Sequence, residues 1–170
     1  MNVLPGIFQY QFGFLKKMPP INKHISQAQS NISFLNSFFL QYANDWAITV
    51  MFYSSLHAVE AMIFCEASQR SVRNDFEYEL HSKTHDHRER QVKGLFPDIH
   101  SAYLELSQVA DNARYKVYKF RPDEVTFNFQ NYFKPIVEFF NSYFTSKPGY
   151  SLNLNQLDGV VNSYQTKSQP

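Results

Sequence analysis

Cysteine is almost missing from this chain. Cys65 is alone among 170 residues, so no disulfide can form within the chain, and a reducing compartment is the expected setting. Glycine is scarce as well, with five residues. That leaves little material for a glycine-rich phosphate loop, a GxSxG nucleophile elbow or a dinucleotide fingerprint, and none of these patterns occurs. An excess of one charge is also lacking: 16 Lys and Arg face 15 Asp and Glu. No global basic field therefore advertises nucleic acid, and only a local patch stays open. The first 17 residues have no basic leader and no small-residue cleavage site, so they are not read as a secretion signal. The cytoplasm is the expected location. Residues 46–65 have about the length that spans a bilayer. Ser54, Ser55, His57 and Glu60 within them would be costly in lipid, so this stretch is read as a buried core helix with no membrane partner.

What the chain does have is aromatic mass, with 17 Phe and 11 Tyr. Rings in that number favour a thick core, an apolar association surface, or both. The length suits one domain with a real core. Apolar residues recur in alternating three- and four-residue steps, which predicts an all-α, antiparallel bundle of four to five helices. An N-terminal arm (1–20) precedes the bundle (21–146), and a C-terminal tail (147–170), rich in Asn, Gln and Ser, follows it.

The first helix is expected over 21–42, with Ile21, Ile25, Ala28, Ile32, Leu35 and Phe39 on one face. The second, over 45–67, is apolar almost all round and should be the central helix, capped by Asn44 or Asp45. A charged connection over 68–83 leads to a short helix over 84–95. Pro97 and Pro122 suit the first turns of the last two helices, and Pro135 should kink the final one. Its core face is expected to be Val125, Phe129, Tyr132, Ile136, Phe139 and Tyr143, widened by Phe133, Val137, Phe140 and Phe144.

Against this background a few polar residues stand out. Tyr53, His57 and Glu60 share one stripe of the central helix. A buried ionisable group must find a partner or shift its pKa, so these are structural glue or a site. His85 and Arg88 lie three apart on the short helix, which reads as a solvated charged face or as a phosphate-binding patch. Asp111 and Arg114 make a helical pair one turn apart, and Tyr115 follows. The six histidines do not form a metal-ligand pattern, since no HExxH and no paired Cys motif accompanies them.

Three segments resemble a known family. Asp45-Trp46-Ala47 leading into Phe52-Tyr53-Ser54-Ser55-Leu56-His57-Ala58-Val59-Glu60-Ala61 resembles the central helix of HEPN-domain proteins. His85-Asp86-His87-Arg88-Glu89-Arg90 resembles the His-x-x-Arg block of one branch, and Ala113-Arg114-Tyr115 resembles the ending of the later helix. The blocks fall in HEPN order across residues 21–144. The resemblance implies a homodimeric bundle that binds RNA or a nucleotide, in a toxin–antitoxin or defence setting. In catalytic members, Arg and His separated by four to six residues meet across the dimer. His would move the 2′-OH proton, and Arg would stabilise charge growing on the phosphate.

This chain departs from that motif. The nearest approach is Arg73 to His81, with seven residues between them. Ribonuclease action would instead need a variant site with His57, Arg88 and Arg114 as catalytic residues. Tyr53, Glu60, His85, Asp111 and Tyr115 would surround a ligand, without metal or cofactor. The alternative is a non-catalytic interaction module, one subunit of a complex with an operon partner, docking through the apolar residues of 1–14.

Overall fold

The computed structural model describes residues 21–41, 43–71, 84–116, 119–147 and 149–167. Among them there are six helices and no strand. Helix α1 (Ile21–Asn36) buries Ile25, Ala28, Ile32 and Leu35, the face its spacing predicts. It stops short of residue 42. Phe38 and Phe39 turn into the core instead, and the chain reverses through Leu40 and Ala43 at left-handed φ of 58° and 57°.

Helix α2 (Asn44–Ser71) is the central element. Apolar almost all round, it buries two stripes: Ile48, Phe52, Ser55, Val59 and Met62 on one, and Ala47, Met51, Ser54, Ala58, Ala61 and Cys65 on the other. Residues 44–69 hold an 18-residue window apolar enough to cross a membrane, yet 72% of that window is buried inside the fold. Asn44 and Asp45 hold a neighbouring segment. The Asn44 amide donates to the Phe120 carbonyl at 2.8 Å, and Asp45 accepts from the Phe120 N–H at 3.0 Å.

Helix α3 (His85–Leu95) begins at Thr84, whose hydroxyl accepts from the His87 N–H at 3.1 Å. Buried Phe96 alone separates it from α4 (Pro97–Tyr115), which starts on proline as expected. Residues 72–83, the greater part of the expected charged connection, lie outside the described residues, as does the arm at 1–20.

Helix α5 (residues 122–143) runs through three parts: Pro122–Asn128, a π-helical segment Phe129–Phe133, and Lys134–Tyr143. The π segment answers Pro135. Proline has no N–H and its ring clashes with the carbonyl four residues back; a wider turn just before it relieves both problems. One extra residue per turn also advances the core face. From Phe133 onward the buried residues of this helix are Phe133, Ile136, Val137, Phe140 and Phe144, whereas Tyr132, Phe139 and Tyr143 are only half-buried. The expected core face holds at Val125, Phe129 and Ile136, the residues expected to widen it are all buried, and Tyr132, Phe139 and Tyr143 fall to its edge. α2 packs against α1, α3, α4 and all three parts of α5.

The expected C-terminal tail is corrected. Residues 155–167 form helix α6 (Asn155–Lys167), and Leu152, Leu154, Leu157 and Val161 join the core. Gly149, at φ 88°, makes the turn that brings them back, a conformation that suits a residue without Cβ. Asn141 then brackets Leu152, donating to its carbonyl at 2.9 Å and accepting from its N–H at 2.8 Å. Lys134 pairs with Asp158 at 2.7 Å, and Tyr150 donates to Asn22 at 2.7 Å. The bundle therefore extends past residue 146.

Candidate functional site

The polar stripe of α2 is divided among three neighbours. Glu60 is 1% exposed and forms an ion pair with Arg88 of α3, itself 7% exposed. A guanidinium that deep needs the carboxylate, because an uncompensated buried charge is expensive. Tyr103 of α4 faces the same pair. Burial pushes its phenol up to about 12, and the Arg88 charge opposes this without overcoming it. This cluster is sealed, and Arg88 and Glu60 act there as the pin between α2 and α3.

Two turns towards the start of α2, at Tyr53, the arrangement opens. Arg114 of α4 donates to the Tyr53 hydroxyl at 2.9 Å and to the Ala110 carbonyl at 3.3 Å, and it forms an ion pair with Asp111. Its guanidinium carbon lies 5.5 Å from the ring centres of Phe52 and Tyr53 and 5.1 Å from that of Tyr115. Burial works against the Arg114 charge, but Asp111 and Tyr53 outweigh it, so the proton is held more firmly than in water. Tyr115 is 79% exposed and Tyr53 38%. A fixed cation therefore stands at the surface between two accessible rings.

His85 joins this group through Phe52. Its exposed imidazole stacks on the Phe52 ring at 5.8 Å, and its Nδ1 lies 3.5 Å from the Arg88 guanidinium. Phe52, fully buried, is thus shared by His85 on one side and Arg114 on another. The expected trio is distributed differently. His57 turns to α1, where its Nδ1 lies 3.3 Å from Nδ1 of His24. Arg88 is engaged with Glu60. Of the three, Arg114 alone belongs to the open group, and the imidazole beside it is His85.

Sequence reasoning missed His24, Tyr103 and Phe52 as parts of these clusters. His24 sits immediately before Ile25 on the buried face of α1, a position from which it reaches the next helix, and that was the available signal. It also missed a polar cluster around Cys65. Lys147 and Gln69 approach the Cys65 sulfur at 3.2 and 3.3 Å, and Tyr143 donates to Glu66 at 2.6 Å. Burial, then the Glu66 bond, raises the Tyr143 phenol pKa. Among the described residues no three metal-ligating side chains gather into a site. Compared with protein-family models, with curated proteins and with solved structures, the chain matches none.

Proposed function

We propose that this chain is a HEPN-like protein that binds single-stranded RNA, or a nucleotide, on the face formed by Tyr53, His85, Asp111, Arg114 and Tyr115. The observation that carries the reading is the Arg114 guanidinium held among the rings of Phe52, Tyr53 and Tyr115, with Tyr115 largely exposed. Unstacked bases lie on exposed rings, and a fixed guanidinium grips phosphate oxygens through two donors. If the chain cleaves RNA, His85 is the accessible imidazole for moving the 2′-OH proton, and Arg114 is the cation for the phosphate. Pairing as a homodimer, a cytoplasmic location and a toxin–antitoxin or defence role belong to the same proposal.

The test is fluorescence anisotropy with a labelled single-stranded RNA, comparing the wild-type chain with Arg114→Ala. Saturable binding weakened by the substitution supports the reading. Absence of binding by the wild type sinks it. Metal-independent cleavage lost in His85→Ala but kept in His57→Ala would add the enzymatic step.

A second reading, a non-catalytic interaction module, is supported by the exposure of Phe34 (60%) and Trp46 (64%) on α1 and α2. Mass in solution, measured for the wild type and for Trp46→Ser, distinguishes a self-association surface from a monomer.

A further inference from the structure

Val109 and Asn112 share one face of α4, opposite the face that carries Asp111 and Arg114, and Lys116 follows just past the helix end. Together with Phe120 and the first part of α5 they line a cleft of about 640 Å³. Phe120, Phe127 and Tyr132 supply aromatic walls, and Phe127, 53% exposed, meets Tyr132 edge-on at 5.7 Å. Asp123 and Glu124 also border it, but both are answered by Arg121, at 3.1 Å for Asp123 and, from the Arg121 backbone N–H, at 2.8 Å for Glu124. The side chain with an open valence is Asn128.

Asn128 is 5% exposed. Its amide nitrogen donates to the Glu124 carbonyl at 2.7 Å, which fixes the orientation of the amide. Its Oδ1 accepts no hydrogen bond among the described residues. An acceptor buried in that state is destabilising, and beside a cleft it is the group that a ligand's donor would satisfy.

We propose that this cleft binds the base of a purine nucleotide, with a base N–H donating to Asn128 Oδ1. Three features select that chemistry. Aromatic walls favour a flat ring, and the buried acceptor requires an N–H on its edge. Lys116, exposed at the rim, supplies a cation for a phosphate. The volume lies within the range of small-molecule sites. The site uses none of the residues of the Arg114 face and does not rest on the RNA reading.

The experiment is isothermal titration of the full chain with AMP, with purine riboside 5′-monophosphate, which lacks the amino group, and with ribose 5-phosphate. AMP should bind, and each of the other two should bind about tenfold or more weakly, the loss expected when the buried acceptor goes unanswered or the ring is absent. Asn128→Leu should abolish the preference for AMP over purine riboside monophosphate while leaving the melting temperature unchanged or higher. Phe127→Ala, at an exposed position, should weaken AMP without touching the fold, and Arg114→Ala should leave AMP affinity unchanged. No saturable AMP binding at millimolar concentration, equal affinity for the two nucleotides, or unaltered AMP affinity in both Asn128→Leu and Phe127→Ala would overturn the proposal.

Discussion

Replacing Glu60 by Leu offers the sharpest perturbation of the fold, because it isolates a buried charge. Arg88 has a side chain 9% exposed and is paired with a carboxylate 1% exposed. Removing one partner of such a pair costs about 3–5 kcal/mol, since the surviving guanidinium has neither water nor a counter-ion. For a chain of this size each kcal/mol lowers the melting temperature by about 2–4 °C, so Glu60→Leu should melt about 6–20 °C below the wild type. Exposed pairs behave otherwise. Arg121 and Asp123 are 70% and 59% exposed at 3.1 Å, and Asp123→Asn should cost less than about 1 kcal/mol. The double variant Glu60→Leu with Arg88→Met removes both charges and should recover most of the loss or exceed the wild type. Urea unfolding followed by circular dichroism measures all four proteins. If Glu60→Leu alone falls within about 1 kcal/mol of the wild type, Arg88 is not buried as described.

Ala43 is exposed at a left-handed φ of 57°, which costs an L-residue roughly 1–2 kcal/mol, while glycine loses about 0.4–1 kcal/mol through the unfolded chain. Ala43→Gly should therefore be neutral or stabilising by up to about 1 kcal/mol in the same assay; a clear loss would refute the turn. Leu157 is fully buried, so Leu157→Ala should cost about 2–5 kcal/mol, whereas an unchanged melting temperature would restore the expected tail over 147–170. The Tyr103 phenol titrates at about 12 when folded against 10.0 unfolded. Because the folded value is the higher one, its stabilisation is complete below pH 10 and is lost as pH rises through 12. Tyr103→Phe should flatten the alkaline unfolding curve over that range; an unchanged slope would contradict the burial of the hydroxyl.

The stripe of α1 was legible because that helix buries a continuous face, which a period near 3.6 reports directly, and the central place of α2 because it is apolar almost all round. Pro135 gave warning of an irregularity in α5 but not of its form. Beyond the π segment Ile136, Val137 and Phe140 are buried, and Tyr132, Phe139 and Tyr143 are left half-buried. Helix α6 was hidden because Leu152, Leu154, Leu157 and Val161 stand among Asn, Gln and Ser, so composition outweighed spacing. For the site, the segments were found and the contacts were not. Tyr53, His57 and Glu60 share a stripe, yet which helix meets each one depends on how α1, α3 and α4 cross α2. His57 consequently met His24, Glu60 met Arg88, and Tyr53 met Arg114.

On the proposed function, RNA binds at the open Arg114 group and not at the sealed Arg88 pair. The most direct measurement of this is the affinity for single-stranded RNA as a function of salt, for the wild type, Arg114→Ala and Tyr115→Ala. Losing one phosphate contact in Arg114→Ala should reduce the slope of log affinity against log salt by about 0.7, while Tyr115→Ala should weaken binding roughly 5- to 150-fold and leave the slope unchanged. Identical affinities and slopes in all three proteins would contradict the account.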